Sequence, residues 1–258
     1  MSHFAVLVTN TDKVSLDEQL APFDENTNVP EYRRYLDEDD IKSMREYYSK
    51  KNPDTDYSTL ESLVPRLDDW CGGEGGVDEK GLYYLSQYNP DSKWDWYAVG
   101  GRWAGFFKGK PGAEGKFEGQ AYYIDEAEKK ADKALKDSGH FDVIKVKDID
   151  WEAMKQEQIK ARGEYWDKQQ EEPVEKRWAW RNNRDELLLM SRSQYANDIS
   201  AISTFGVLHD GTWYERGSMG WWAIVSDEKP EEEWDAEWQK LVDSLDPESE
   251  VTLVDCHI

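Results

Sequence analysis

Cysteine and histidine are scarce in this chain of 258 residues: Cys71 and Cys256, and His3, His140, His209 and His257, are all there are. The two cysteines sit in no CxxC or other metal-ligand spacing, which excludes a thiolate zinc site and leaves reduced thiols as the expectation. No apolar run approaches the roughly 20 residues that span a bilayer. The opening MSHFAVLVTN turns polar too soon for a secretory leader, so a cytoplasmic location is expected. Positive charge is short as well, with 32 Lys and Arg against 55 Asp and Glu and a net charge of -23. A field of that sign repels phosphate backbones and excludes ordinary nucleic-acid binding unless the charge is segregated. HExxH, the GxSxG elbow and the Rossmann fingerprint are all missing. The glycine-rich CGGEGGVDEKG (71–81) lacks the Lys-Ser/Thr of a phosphate-binding loop and reads as a connector. No metal and no cofactor is implied.

Aromatic rings are abundant. They make up 13% of the chain, with 13 Trp, while all hydrophobic residues reach only 38%. High charge at low hydropathy points to disorder, but rings this large demand burial, so a core built from aromatics is expected. HFAVLV (3–8) and VTLVDCHI (251–258) read as strands, and strands at both ends of a chain usually meet in one central sheet. Between them, 37–50, 125–139, 148–172, 181–198 and 229–247 carry helical patterns, with Asp37 or Asp39, Asp125 and Pro230 at their starts. The acidic run 37–40 is expected to be a solvated helix start. Residues 93–107 read as strand, turn, strand, and 118–124 as a strand. Asp210-Gly211 is the strongest hairpin signal. The sum is a single α+β domain, 1–258: a central antiparallel sheet from both chain ends, helices mainly on one face, and a charged helical insertion at about 125–198.

Two groups of residues carry candidate chemistry. In an extended strand Asp255 and His257 share a face. With His3 on a neighbouring strand they would form an acid–base set. His140 and His209 are expected to be exposed loop residues. The second group lies in SKWDWYAVGGRWAGFFKG (92–109). If that stretch is extended, Trp94, Trp96, Ala98, Gly100 and Arg102 share one face, and Asp95, Tyr97, Val99, Gly101 and Trp103 the other. Rings to stack a base, Gly100 and Gly101 to let a phosphate approach, and a guanidinium to pair with it are parts of a nucleotide site. Trp213, Arg216, Trp221 and Trp222 repeat the chemistry.

MSHFAVLV, QLAPFDEN (19–26), KWDWYAVGGRW (93–103), DGTWYERGSMGWW (210–222) and the final VDCHI together resemble a family of uncharacterised proteins encoded by tailed bacteriophages. The resemblance runs from end to end and implies a soluble accessory protein made in the cytoplasm of an infected bacterium and acting against host defence. The functional expectation is binding of a small nucleotide-type signal, by sequestration through Trp96, Arg102 and Trp103 or by degradation through His3, Asp255 and His257. The alternatives are an acidic, nucleic-acid-mimicking inhibitor of a host nuclease or DNA-binding protein, or a virion structural role. Partners are thus a nucleotide-type ligand or a host defence protein, with neither nucleic acid nor membrane bound directly, and a homo-oligomer compatible with either.

Overall fold

A computed structural model of the chain describes residues 2–120, 125–171, 190–197, 202–220, 222 and 224–258. The chain forms two compact units, one of residues 1–21 with 93–258, the other of residues 22–92. The single-domain reading did not divide the chain at 22–92 and placed a helical insertion at about 125–198.

The larger unit is built on a seven-stranded sheet. Its strands are β1 (His3–Thr9), β2 (Trp96–Val99), β3 (Gly115–Lys116), β4 (Val143–Lys145), β5 (Gly206–His209), β6 (Thr212–Glu215) and β7 (Glu250–His257). They run in the order β6-β5-β1-β7-β4-β3, with β2 also paired to β7. The two ends of the chain lie side by side, antiparallel from His3↔His257 to Thr9↔Val251. The far edge of β7 is shared: β4 takes residues 250–252 and β2 takes 254–257. On its other side β1 runs parallel to β5, so the sheet is mixed, not antiparallel throughout as expected. A parallel pair needs a long crossover, and the chain between β1 and β5 supplies it.

Alternate residues explain the two buried faces. Ala5, Leu7, Ile144, Val207, Val251 and Leu253 pack with Met154 of helix α2 (Trp151–Glu171) and with Trp234, Trp238 and Val242 of helix α3 (Glu231–Asp243). Thr204 satisfies both indoles: Trp234 Nε1 donates to its carbonyl at 2.8 Å and Trp238 Nε1 to its hydroxyl at 3.1 Å. The other face of β1, Phe4, Val6 and Val8, is buried too. That is why the strand reads as an unbroken apolar run and not an alternating one. Helix α1 (Glu126–Asp137) begins on the expected Asp125, which forms a capping box with Glu128. The Asp210-Gly211 turn has both residues at positive φ, 48° and 74°, as a two-residue hairpin requires. Of the expected strand 118–124, residues 121–124 lie outside the described residues and 118–120 form no strand. Most of the expected helix 181–198 also lies outside them, with Arg192–Asn197 helical.

The smaller unit has its own core of Leu36, Met44, Tyr48, Tyr57, Leu63, Leu67 and Leu82. Asp37 caps its helix Glu38–Lys51, accepting from the Asp40 amide at 2.7 Å, so the acidic run does start a helix. The glycine-rich connector is in part strand: Gly75–Asp78 pairs with Gly81–Ser86, which pairs with Tyr32–Tyr35. Gly75 belongs there because a Cβ would stand 1.9 Å from the Tyr83 carbonyl oxygen.

Candidate functional site

His3, Asp255 and His257 come together at one end of the sheet, on the face that α2 and α3 cover further along. Strand register dictates this. His3 is the cross-strand partner of His257, and Asp255 is two residues back on the same face. His3 Nδ1 lies 2.9 Å from Asp255 Oδ1. The two imidazoles meet edge to face with centroids 4.9 Å apart. Trp96, cross-strand from His257 on β2, stacks on the His257 ring at 5.0 Å and 18° and meets His3 edge-on at 5.2 Å. Trp96 remains 37% exposed, so the cluster has one solvent-facing side.

The carboxylate that orients His257 is Asp95, with Oδ1 2.5 Å from Nδ1. Strict alternation put Asp95 on the opposite face. It sits just before β2, where the backbone bends, and its own amide donates to the His257 carbonyl at 2.9 Å. Each imidazole thus has its own carboxylate at Nδ1. An Nδ1–H donated to a carboxylate leaves Nε2 with a lone pair. The Nε2 of His257 is buried and has no hydrogen-bond partner among the described residues.

The extended stretch ends at Val99. Gly100 and Gly101 have φ of 71° and 55° and lead into a 3-10 turn, Gly101–Trp103. Arg102 therefore does not continue the face of Trp96, contrary to the alternation expected. Its amide donates to Asp255 Oδ2 at 2.9 Å, and its side chain is exposed. The glycines do not form a bare patch for phosphate either. A Cβ on Gly101 would stand 2.5 Å from Asp255 Oδ2, and one on Gly100 2.7 Å from the Asp142 carboxyl carbon. The space that glycine leaves is filled by the protein's own carboxylates. Asp142, fully buried, accepts from the amides of Gly105 at 2.5 Å, Glu118 at 2.7 Å and Gly119 at 2.9 Å, tying down the loop that carries Arg102. Burial pushes its carboxyl above the usual range and the three donors pull it back in part.

The other expected ligand residues lie elsewhere. Trp103 packs against the main core. Trp213 is on the opposite face of the sheet from Trp96, edge-on to Phe4, with Nε1 donating to Glu215 at 2.8 Å. Arg216 is paired with Glu228 at 2.8 Å, and Trp221 lies outside the described residues. Among the described residues the two aromatic clusters thus do not line one cavity. Cys256, between the two site residues in sequence, points to the other face, and burial pushes its thiol well above its ordinary range. His140 and His209 are not free loop residues: His140 is buried, and His209 Nδ1 lies 2.8 Å from Thr9 Oγ1.

Among the described residues no group of three or more His, Cys, Asp or Glu is placed to hold a metal ion, and no helix is long and apolar enough to cross a membrane. Asp95 and Asp142 are the residues that sequence reasoning missed. Nothing in their spacing distinguishes them from the other acidic residues of the chain. Compared with protein-family models, curated proteins and solved structures, the chain gives no match.

Proposed function

We propose that the His3–His257–Trp96 cluster binds a small nucleotide-type ligand and acts on its phosphodiester by acid–base chemistry, and that the chain is a phage accessory protein which thereby removes a host defence signal. The observation that carries this reading is the pair of adjoining imidazoles, each held at Nδ1 by its own carboxylate. In such a pair one neutral ring takes a proton from water as its oxygen attacks phosphorus. The other, protonated, gives a proton to the leaving oxygen as the P–O bond breaks. The half-exposed Trp96 offers a face for a base. Two carboxylates and one imidazolium leave the cluster net negative, and the exposed Arg102, one residue beyond Gly101, is the nearby source of the positive charge a phosphate needs.

Calorimetry with cyclic di- and trinucleotides and cyclic ADP-ribose isomers, followed by chromatography of the mixtures, tests it. Arg102→Ala should weaken binding at least tenfold. His257→Gln should keep binding and abolish turnover. Absence of heat with every member, at concentrations where a 1 mM Kd (about 4 kcal/mol) would register, sinks the reading. A second reading, an acidic inhibitor of a host nucleic-acid-binding protein, is favoured by the net charge of -23 and by carboxylates as open as Glu126, 90% exposed. It predicts a protein partner lost at high salt and indifferent to Arg102→Ala.

A further inference from the structure

A second cluster stands apart from this site. Ser138 closes helix α1, two residues before His140, and Glu157 projects from α2. Ser138 Oγ lies 2.8 Å from His140 Nδ1, and His140 Nε2 lies 2.9 Å from Glu157 Oε2. His140 is buried, and Ser138 is exposed. A carboxylate accepts only, so Nε2 carries the proton and Nδ1 can accept from the serine hydroxyl; that hydroxyl has a single proton and a second acceptor within reach, the Leu135 carbonyl at 2.8 Å. A nucleophile on a base that is oriented by a third group is the arrangement that activates serine. Lys108 brings a cation alongside, its Nζ 2.5 Å from the Ser138 carbonyl and 3.5 Å from Glu157.

His140 and Glu157 also line a cleft of about 250 Å³ whose walls include Phe106, Leu135, Met154 and Ile202. Apolar walls with a few convergent polar groups suit a small apolar ligand body. We propose that Ser138, His140 and Glu157 form a serine-nucleophile site for small esters with an apolar acyl group, which the cleft receives. Ser138 Oγ attacks the ester carbonyl and its proton passes to His140 Nδ1. The carbon–oxygen bond to the alcohol breaks, and the alcohol leaves with that proton. Water then attacks the acyl-serine, gives a proton to Nδ1, and frees the acid as the proton returns to Ser138. Lys108 faces the developing oxyanion, and Glu157 is a positioning residue acting through His140. The sequence carries no serine elbow, because this relay needs only Ser138-Gly139-His140 and a glutamate 17 residues beyond the histidine on the next helix.

The test begins on the unaltered chain, treated with an alkyl fluorophosphonate and mapped by mass spectrometry. Labelling at Ser138, blocked by butyrate esters, is expected. With p-nitrophenyl butyrate, Ser138→Ala and His140→Gln should lose at least about 100-fold in kcat/KM. Glu157→Gln should lower kcat with KM little changed, and Glu157→Asp should restore part of the loss. A residue that merely supported the fold would show no such split between kcat and KM. No label on Ser138 and no hydrolysis above buffer would overturn the proposal. So would hydrolysis unchanged in Ser138→Ala. Neither outcome bears on the His3–His257 site.

Discussion

Replacing Gly101 with alanine probes whether the acid–base cluster is built the way its geometry indicates. Two penalties are specific to this position. The new Cβ would stand 2.5 Å from both Cβ and Oδ2 of Asp255, and overpacking of this kind costs about 1–3 kcal/mol. Pushing the carboxylate aside also breaks its bond from the Arg102 amide, 2.9 Å long, worth about 1.5–3 kcal/mol for a charged acceptor. A third penalty, the left-handed backbone at φ 55°, is about 1–2 kcal/mol for a residue with a Cβ. Gly211 isolates that third penalty, because it has φ 74° and no atom lies within 4 Å of the place its Cβ would take. Gly211→Ala should therefore cost about 1–2 kcal/mol, and Gly101→Ala about 2.5–6 kcal/mol more. Urea unfolding of the two variants beside the parent measures the difference. The His3 imidazole resonances should also shift in Gly101→Ala, because Asp255 moves, and stay put in Gly211→Ala. Equal destabilisation with His3 unmoved would refute the claim that the glycine exists to admit Asp255.

Two further outcomes follow from buried groups. The Asp142 carboxyl titrates above its ordinary 3.8 in the folded chain, so the fold favours its protonated form. Its contribution to stability is present at low pH and lost as pH rises from 3.8 through the raised value. Urea unfolding across that window should show this decline, and Asp142→Asn should flatten it; an unchanged slope would argue that Asp142 is not held as described. The Cys256 thiol, buried with its pKa pushed well up, should resist a disulfide reagent until the chain unfolds, while the half-buried Cys71 reacts slowly in the native protein. Rapid reaction of two thiols in the native state would contradict the packing of β7.

Much of the α+β fold is legible in particular residues. HFAVLV and VTLVDCHI announce buried strands because a strand covered on both faces needs apolar residues at every position. Asp210-Gly211, Asp125 and the Trp234/Trp238 face mark their elements by local chemistry. The connector at 71–81 misleads, because glycines required for close strand approach have the same composition as a flexible loop. The parallel β1–β5 pair has no local signal, since strand direction across a long connection is decided by packing.

At the candidate site the same division holds. Period-two alternation alone places Asp255 beside His257, and short apolar runs at both chain ends make their meeting with His3 a reasonable expectation. That much is written in the sequence, because a strand's faces depend on nothing beyond the residue count. The partnership of His257 with Asp95, the turn that takes Arg102 off its strand and onto Asp255, and the filling of Gly100 and Gly101 by Asp142 and Asp255 were settled only in three dimensions. Each is a contact between residues more than 40 positions apart. In so acidic a chain no local pattern says which carboxylate will lose its water to make one.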